Sequence, residues 1–99
     1  MYLINIAINK ETVNSDNAEA LLDAHRQWFS KYADKGNFLL LGPYKDIPFA
    51  GVIIAQAESR EALDAMLKED VYYPNKASYE IREFTANKIH PQIGKFIGQ

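Results

Sequence analysis

Phe38-Leu39-Leu40-Leu41-Gly42-Pro43 and, after a short loop, Ala50-Gly51-Val52-Ile53-Ile54-Ala55-Gln56-Ala57 decide the fold. The first is a fully apolar run bounded by Gly36 and by Gly42-Pro43, and it reads as a buried strand over 38–41. The second is rich in β-branched residues and reads as another strand over 50–57. Tyr44 to Phe49, with Pro48 inside it, is the loop between them. Two strands therefore follow one another directly.

Upstream, Ala18, Leu21, Leu22, His25, Trp28, Phe29 and Tyr32 recur at spacings of three and four, the apolar stripe of an amphipathic helix that Gly36 stops. Ser15, Asp16 and Asn17 offer N-caps, and Asp16 with Glu19 resembles a capping box. Lys10 to Asn14 is polar and reads as a loop. Tyr2 to Ile8 alternates Tyr2, Ile4, Ile6 and Ile8 on one face with Asn5 and Ala7 on the other, a half-buried strand. Downstream, Ser59 caps a helix over 60–69 whose inner face is Ala62, Leu63, Met66 and Leu67. Asp70 to Asn75 is a loop broken by Pro74, and Ser78 to Ala86 is the last strand. The order is βαββαβ: a ferredoxin-like α+β fold with four antiparallel strands and both helices on one face. Right-handed crossovers favour that layout.

The chain has 99 residues, a single domain by length. Its core is expected to span about 1–86 and a C-terminal arm about 87–99. With 47% hydrophobic residues it has ample material for a core, and more than one two-layer domain hides. The second apolar set on the strands, Leu3, Ala7, Phe84 and one side of 38–41, would face water in a monomer, so a homodimer or higher homo-oligomer is expected. The arm carries Ile89, Ile93, Phe96 and Ile97 and reads as packing on a neighbouring subunit. No cysteine is present, which removes disulfides, thiol nucleophiles and thiolate metal sites. The net charge of −2, with its basic residues scattered, argues against a nucleic-acid partner. The start lacks the pattern of a secretory signal and no run approaches a membrane span, so a cytoplasmic location is the default.

His25 lies on the inward stripe of the first helix, and an imidazole exchanges protons near neutrality. Asp70 opens the aromatic loop with Tyr72 and Tyr73. The topology sets the two helices side by side, which lets Asp70 approach the first helix. A carboxylate bonded to one imidazole nitrogen fixes the tautomer and frees the other as general base or acid. A core-edge histidine bonded to a carbonyl and a solvated loop aspartate are the competing readings, and spacing alone leaves them open. Gly42-Pro43-Tyr44 suits close approach to a ligand or an ordinary turn. Trp28 is a candidate ligand contact or a core residue, and His90 has no partner at metal-ligand spacing. No phosphate loop, serine-hydrolase elbow or zinc motif occurs.

His25 in an amphipathic helix, Gly36, Leu39, Leu41 and Gly42-Pro43, then Gly51-Val52-Ile53-Ile54, Ser59 with Glu61-Ala62, and Asp70 with Tyr72, resemble the YCII-related proteins in that order over about 1–84. The resemblance implies a dimeric α/β barrel with a pocket lined by His25 and Asp70. It also implies kinship with a dehydrochlorinase of a chlorinated hydroxyquinol and with muconolactone-isomerase-like enzymes. The chain departs from the family pattern at Val71, where proline is usual, and in its longer tail. The function expected is a cofactor-independent lyase or isomerase with His25 and Asp70 catalytic and Trp28, Gly42, Pro43, Tyr44, Tyr72 and Tyr73 binding a small molecule. No metal is expected at two ligands. The alternative is a non-catalytic ligand-binding or accessory dimeric module.

Overall fold

The computed structural model describes residues 1–99. Strand β1 (Tyr2–Ile8) is followed by a single helical turn α1 (Lys10–Val13), helix α2 (Ala18–Asp34), strands β2 (Phe38–Pro43) and β3 (Ala50–Ala55), helix α3 (Arg60–Leu67), strand β4 (Ala77–Glu83) and a 3₁₀ turn at Ile93–Phe96. The sheet order is β2-β3-β1-β4 and every pairing is antiparallel. This is the ferredoxin-like α+β arrangement that the consecutive strands at 38 and 50 dictate.

The alternation in β1 sorts its side chains. Tyr2, Ile4 and Ile6 are buried and meet Ile53 and Ala55 of β3, Trp28 and Tyr32 of α2, and Leu63, Met66 and Leu67 of α3 in one core. Both long helices therefore cover one face of the sheet. Leu3, Asn5 and Ala7 point the other way, in register with Ile54, Val52 and Ala50 of β3 and with Arg82, Glu80 and Ser78 of β4. No helix lies over that second face. No helix is long and apolar enough to cross a membrane.

The structure corrects four local expectations. Lys10–Val13 is a helical turn rather than loop, because Thr12 is buried and its hydroxyl donates to Lys76 O at 3.0 Å. The Asp16–Glu19 capping box does not form: Asn17 occupies the N-cap without a side-chain bond, and Ser15 Oγ donates backward to Thr12 O. The run at 38–41 is not a buried strand. It is the sheet edge, with a bulge between Phe38 and Leu40, and only Phe38 is buried while Leu39 and Leu40 are exposed. The ends of β3, α3 and β4 fall two or three residues short of the ranges read from the sequence. Ser59 caps α3 as its position suggests, accepting from Ala62 N at 3.0 Å.

The arm beyond residue 86 is exposed throughout, including Ile89, Ile93, Phe96 and Ile97. At Gly51 the edge strand comes very close: a Cβ built there would sit 2.8 Å from Gly42 O. Gly51→Ala is expected to wedge β2 from β3 and destabilise the fold by about 1–3 kcal/mol. Urea unfolding checks this, and an unchanged midpoint would contradict the contact.

Candidate active site

Two elements far apart in sequence make the site. His25 stands on the buried stripe of α2, in the company of Trp28 and Tyr32. Asp70 closes the turn after α3, with its amide donating to Leu67 O at 3.1 Å. Packing both helices on the same sheet face brings them together. His25 Nδ1 lies 2.7 Å from Asp70 Oδ1, and the two residues are only 4% and 3% exposed. The structure thus assembles the pair that sequence spacing left open.

Asp70 is held from several sides. Tyr79 donates its hydroxyl to Oδ2 at 2.6 Å, and Tyr72 N points its hydrogen at Oδ1 over a long 3.5 Å. A carboxylate that faces donors on both oxygens is satisfied as an anion, so Nδ1 carries the hydrogen it shares with Oδ1. That fixes the tautomer of the neutral ring, in which Nε2 is the nitrogen without a hydrogen. The imidazole is clamped by aromatics: Phe29 meets it edge-on at 4.2 Å between centroids, Tyr72 lies at 4.7 Å and Trp28 is stacked at 5.6 Å. His25 Nε2 has no hydrogen-bond partner, yet no buried side-chain nitrogen or oxygen is unpartnered, so this nitrogen is open to the space beside it.

That space is a cavity of about 410 Å³ between α2 and the β2–β3 edge, within the usual range for small-molecule sites. Ile6, Ile8, Leu22, Phe29, Leu41 and Ile53 make its apolar wall. Gly42, Pro43 and Tyr44 border it together with their neighbours Phe49, Ala50 and Gly51, and Arg26 lines it with His25. Phe49 is 60% exposed and has a φ of 58°, a left-handed conformation unusual for a large residue, held by Ile8 N donating to its carbonyl at 2.9 Å.

The candidate binding residues divide. Gly42, Pro43 and Tyr44 reach the cavity, although the Tyr44 hydroxyl donates to Asn5 Oδ1 on the opposite face of the sheet. Trp28 does not line the cavity. Its indole is buried and donates to Met66 O at 2.8 Å, because a large ring with one polar atom fits the helix–helix seam. Tyr72 does not line it either; it is buried against the imidazole. Tyr73 sits in a separate groove with Arg60, Lys68 and Tyr79. Sequence reasoning missed Arg26, Phe29 as a wall, Phe49 and Tyr79. Tyr79 had a signal: it shares the inward face of β4 with Ile81, and a tyrosine on such a face needs an oxygen partner. No cluster of three His, Cys, Asp or Glu side chains exists to hold a metal ion.

Burial, and then the hydrogen bond to Asp70, push the Tyr79 hydroxyl well above the ordinary tyrosine range. The native state therefore holds this proton more tightly than the unfolded chain does. Its contribution to stability is complete below about pH 10, the unfolded tyrosine value, and declines as pH rises beyond it. Tyr79→Phe is expected to cost about 1–2 kcal/mol at neutral pH and to flatten the alkaline loss. Urea unfolding across that range checks it; an alkaline slope equal to that of the unmodified chain would contradict the coupling.

No curated protein matches the chain in sequence. The solved structures that share its fold include two that span most of this chain. One is 5-chloro-2-hydroxyhydroquinone dehydrochlorinase from Burkholderia phenoliruptrix AC1100, in complex with 2,5-dihydroxybenzoquinone, at 10% identity and a TM-score of 0.59, covering 86% of this chain and 94% of that one. The other is an antibiotic biosynthesis monooxygenase at 15% identity and a TM-score of 0.50, covering 86% and 99%. Both are of the dimeric α/β barrel type. The sequence model of the YCII-related domain matches residues 1–85, a span holding all four strands, all three α-helical segments and both members of the His25–Asp70 pair, and the chain belongs to that family.

Proposed function

We propose that the chain is a small-molecule enzyme of the lyase or isomerase type that needs no cofactor, with His25 Nε2 as the group that moves a proton. The observation that carries this reading is a buried imidazole whose Nδ1 is tied to a carboxylate at 2.7 Å while its Nε2 opens onto an apolar cavity. Asp70 sets the tautomer and offsets the charge of the imidazolium once a proton has arrived. In an elimination His25 takes a proton from the substrate, the freed electron pair forms the new double bond, and the leaving group departs with its own pair. In an isomerisation the same nitrogen returns the proton to a different atom. The dehydrochlorinase that shares the fold was solved with a cyclic oxygenated compound, which favours substrates of that class here. Gly42, Pro43 and Tyr44 border the bound molecule, and Phe29 and Phe49 flank it.

The working form in this reading is a homodimer, with 1–86 as the core. The uncovered sheet face, where Leu3, Val52 and Ile54 are half-buried and Leu40 is exposed, and the apolar residues of the 87–99 arm supply the surface between copies.

A turnover screen of chlorinated and hydroxylated cyclic compounds tests the proposal, run beside His25→Ala. Activity is expected to fall about 10²–10⁴-fold in the variant. The imidazole ¹⁵N shifts add a check that needs no substrate: the Nδ1–H tautomer is expected in the unmodified chain and should lose its dominance in Asp70→Asn. Turnover that survives His25→Ala, or a tautomer indifferent to residue 70, would sink the proton-transfer reading and leave a ligand-binding module.

A further inference from the structure

We propose that the cavity takes an anionic ligand, and that Arg26 holds the carboxylate or ring-oxide oxygen of that ligand while its reacting part faces His25. The inference rests on the reading of the cavity as the substrate site, and it names the substrate's charge.

Arg26 borders the cavity and is exposed at its rim, one residue after His25 in α2. It takes part in none of the ion pairs of the chain, which are His25–Asp70, Lys31–Glu69 and Arg60–Asp64. Its guanidinium donates no hydrogen bond to any side chain or carbonyl, whereas Arg60 bonds Asp64 at 2.9 Å. Five donors and a permanent charge therefore stand free beside an apolar wall. No aspartate or glutamate lines the cavity to neutralise it. Of the other polar side chains there, Tyr44 is engaged through its hydroxyl and His25 through Nδ1, which leaves only the imidazole Nε2 open beside Arg26.

Charge balance across the proposed reaction points the same way. With His25 neutral, the His25–Asp70 pair carries one negative charge directly behind the reacting nitrogen. That charge repels an incoming anion and opposes negative charge forming on the substrate. Arg26 returns the site to neutrality. After a proton has moved to Nε2 the buried pair is itself neutral, and the guanidinium faces the anion left on the ligand. A planar fork of donors matches a carboxylate bidentately. A neutral ligand would leave those donors to water alone.

Benzoate and benzamide, matched in shape and different in charge, are the probes. Their dissociation constants are read from chemical-shift changes of the cavity residues in the full chain. Benzoate is expected to bind about tenfold or more tightly than benzamide. In Arg26→Gln the benzoate constant should weaken to that of benzamide, with benzamide unchanged, and Arg26→Lys should keep part of the preference. His25→Gln should retain the preference, which separates failure of the proton-transfer reading from failure of this one. Equal binding of the two probes, a preference that persists in Arg26→Gln, or no response of the cavity to either probe would overturn the assignment.

Discussion

Replacing Asp70 with alanine is expected to lower the unfolding free energy by about 2–4 kcal/mol, because two donors lose a buried acceptor at once. His25 Nδ1 and the Tyr79 hydroxyl both point at this carboxylate, whose side chain is fully buried. Tyr79 is half-buried and regains some water, which keeps the cost below the sum of two full penalties. Asp70→Asn keeps one oxygen and should cost less, about half as much, while placing an amide hydrogen against a donor. Urea unfolding at neutral pH separates the variants. If alanine costs under about 0.5 kcal/mol, the level of an ordinary surface change, the carboxylate is not holding the turn after α3 to α2.

Trp28→Ala carries a still larger expected cost, about 3–5 kcal/mol, the range for emptying a core aromatic position. Trp28 is 4% exposed, meets Phe38 edge-to-face at 5.1 Å and reaches α3 through Met66 O. For a domain stable by about 5–15 kcal/mol this is a large fraction. Trp28→Phe keeps most of the ring. Met66 O retains the bond from Glu69 N at 3.2 Å, so phenylalanine should cost about 1–2 kcal/mol. Thermal unfolding followed by circular dichroism, which does not depend on the lost indole, reads both. A small loss in Trp28→Ala would mean that the helix–helix seam collapses around the gap.

Most of the fold was legible because its signals are local. Period two in Tyr2–Ile8 and period 3.6 through His25, Trp28 and Tyr32 report burial that the structure contains. The error at Leu39 and Leu40 has a physical origin: an apolar run looks the same in a central strand and at an edge, since its neighbours are set by topology. Thr12 was missed for a related reason, as the carbonyl it bonds is 64 residues away. In the site, His25 and Asp70 were nameable by type and by family likeness, but their contact spans 45 residues and no spacing rule reports it. Arg26 was invisible because a charged residue beside an inward stripe is the ordinary solvated face of a helix.

The bond from Tyr44 to Asn5 joins two surfaces that the sheet otherwise separates. Tyr44 borders the cavity, and Asn5 lies on the face without helices, where Val52 and Glu80 are its neighbours in register. A displacement of Tyr44 on one side breaks or shifts a contact on the other. By thermodynamic reciprocity, a molecule that tightens in the cavity when a second copy covers the far face must strengthen that association by the same factor. If a second copy covers that face, as proposed, occupancy and assembly are two readings of one coupling energy, and the polar bond from Tyr44 to Asn5 is a contact through which the two faces meet.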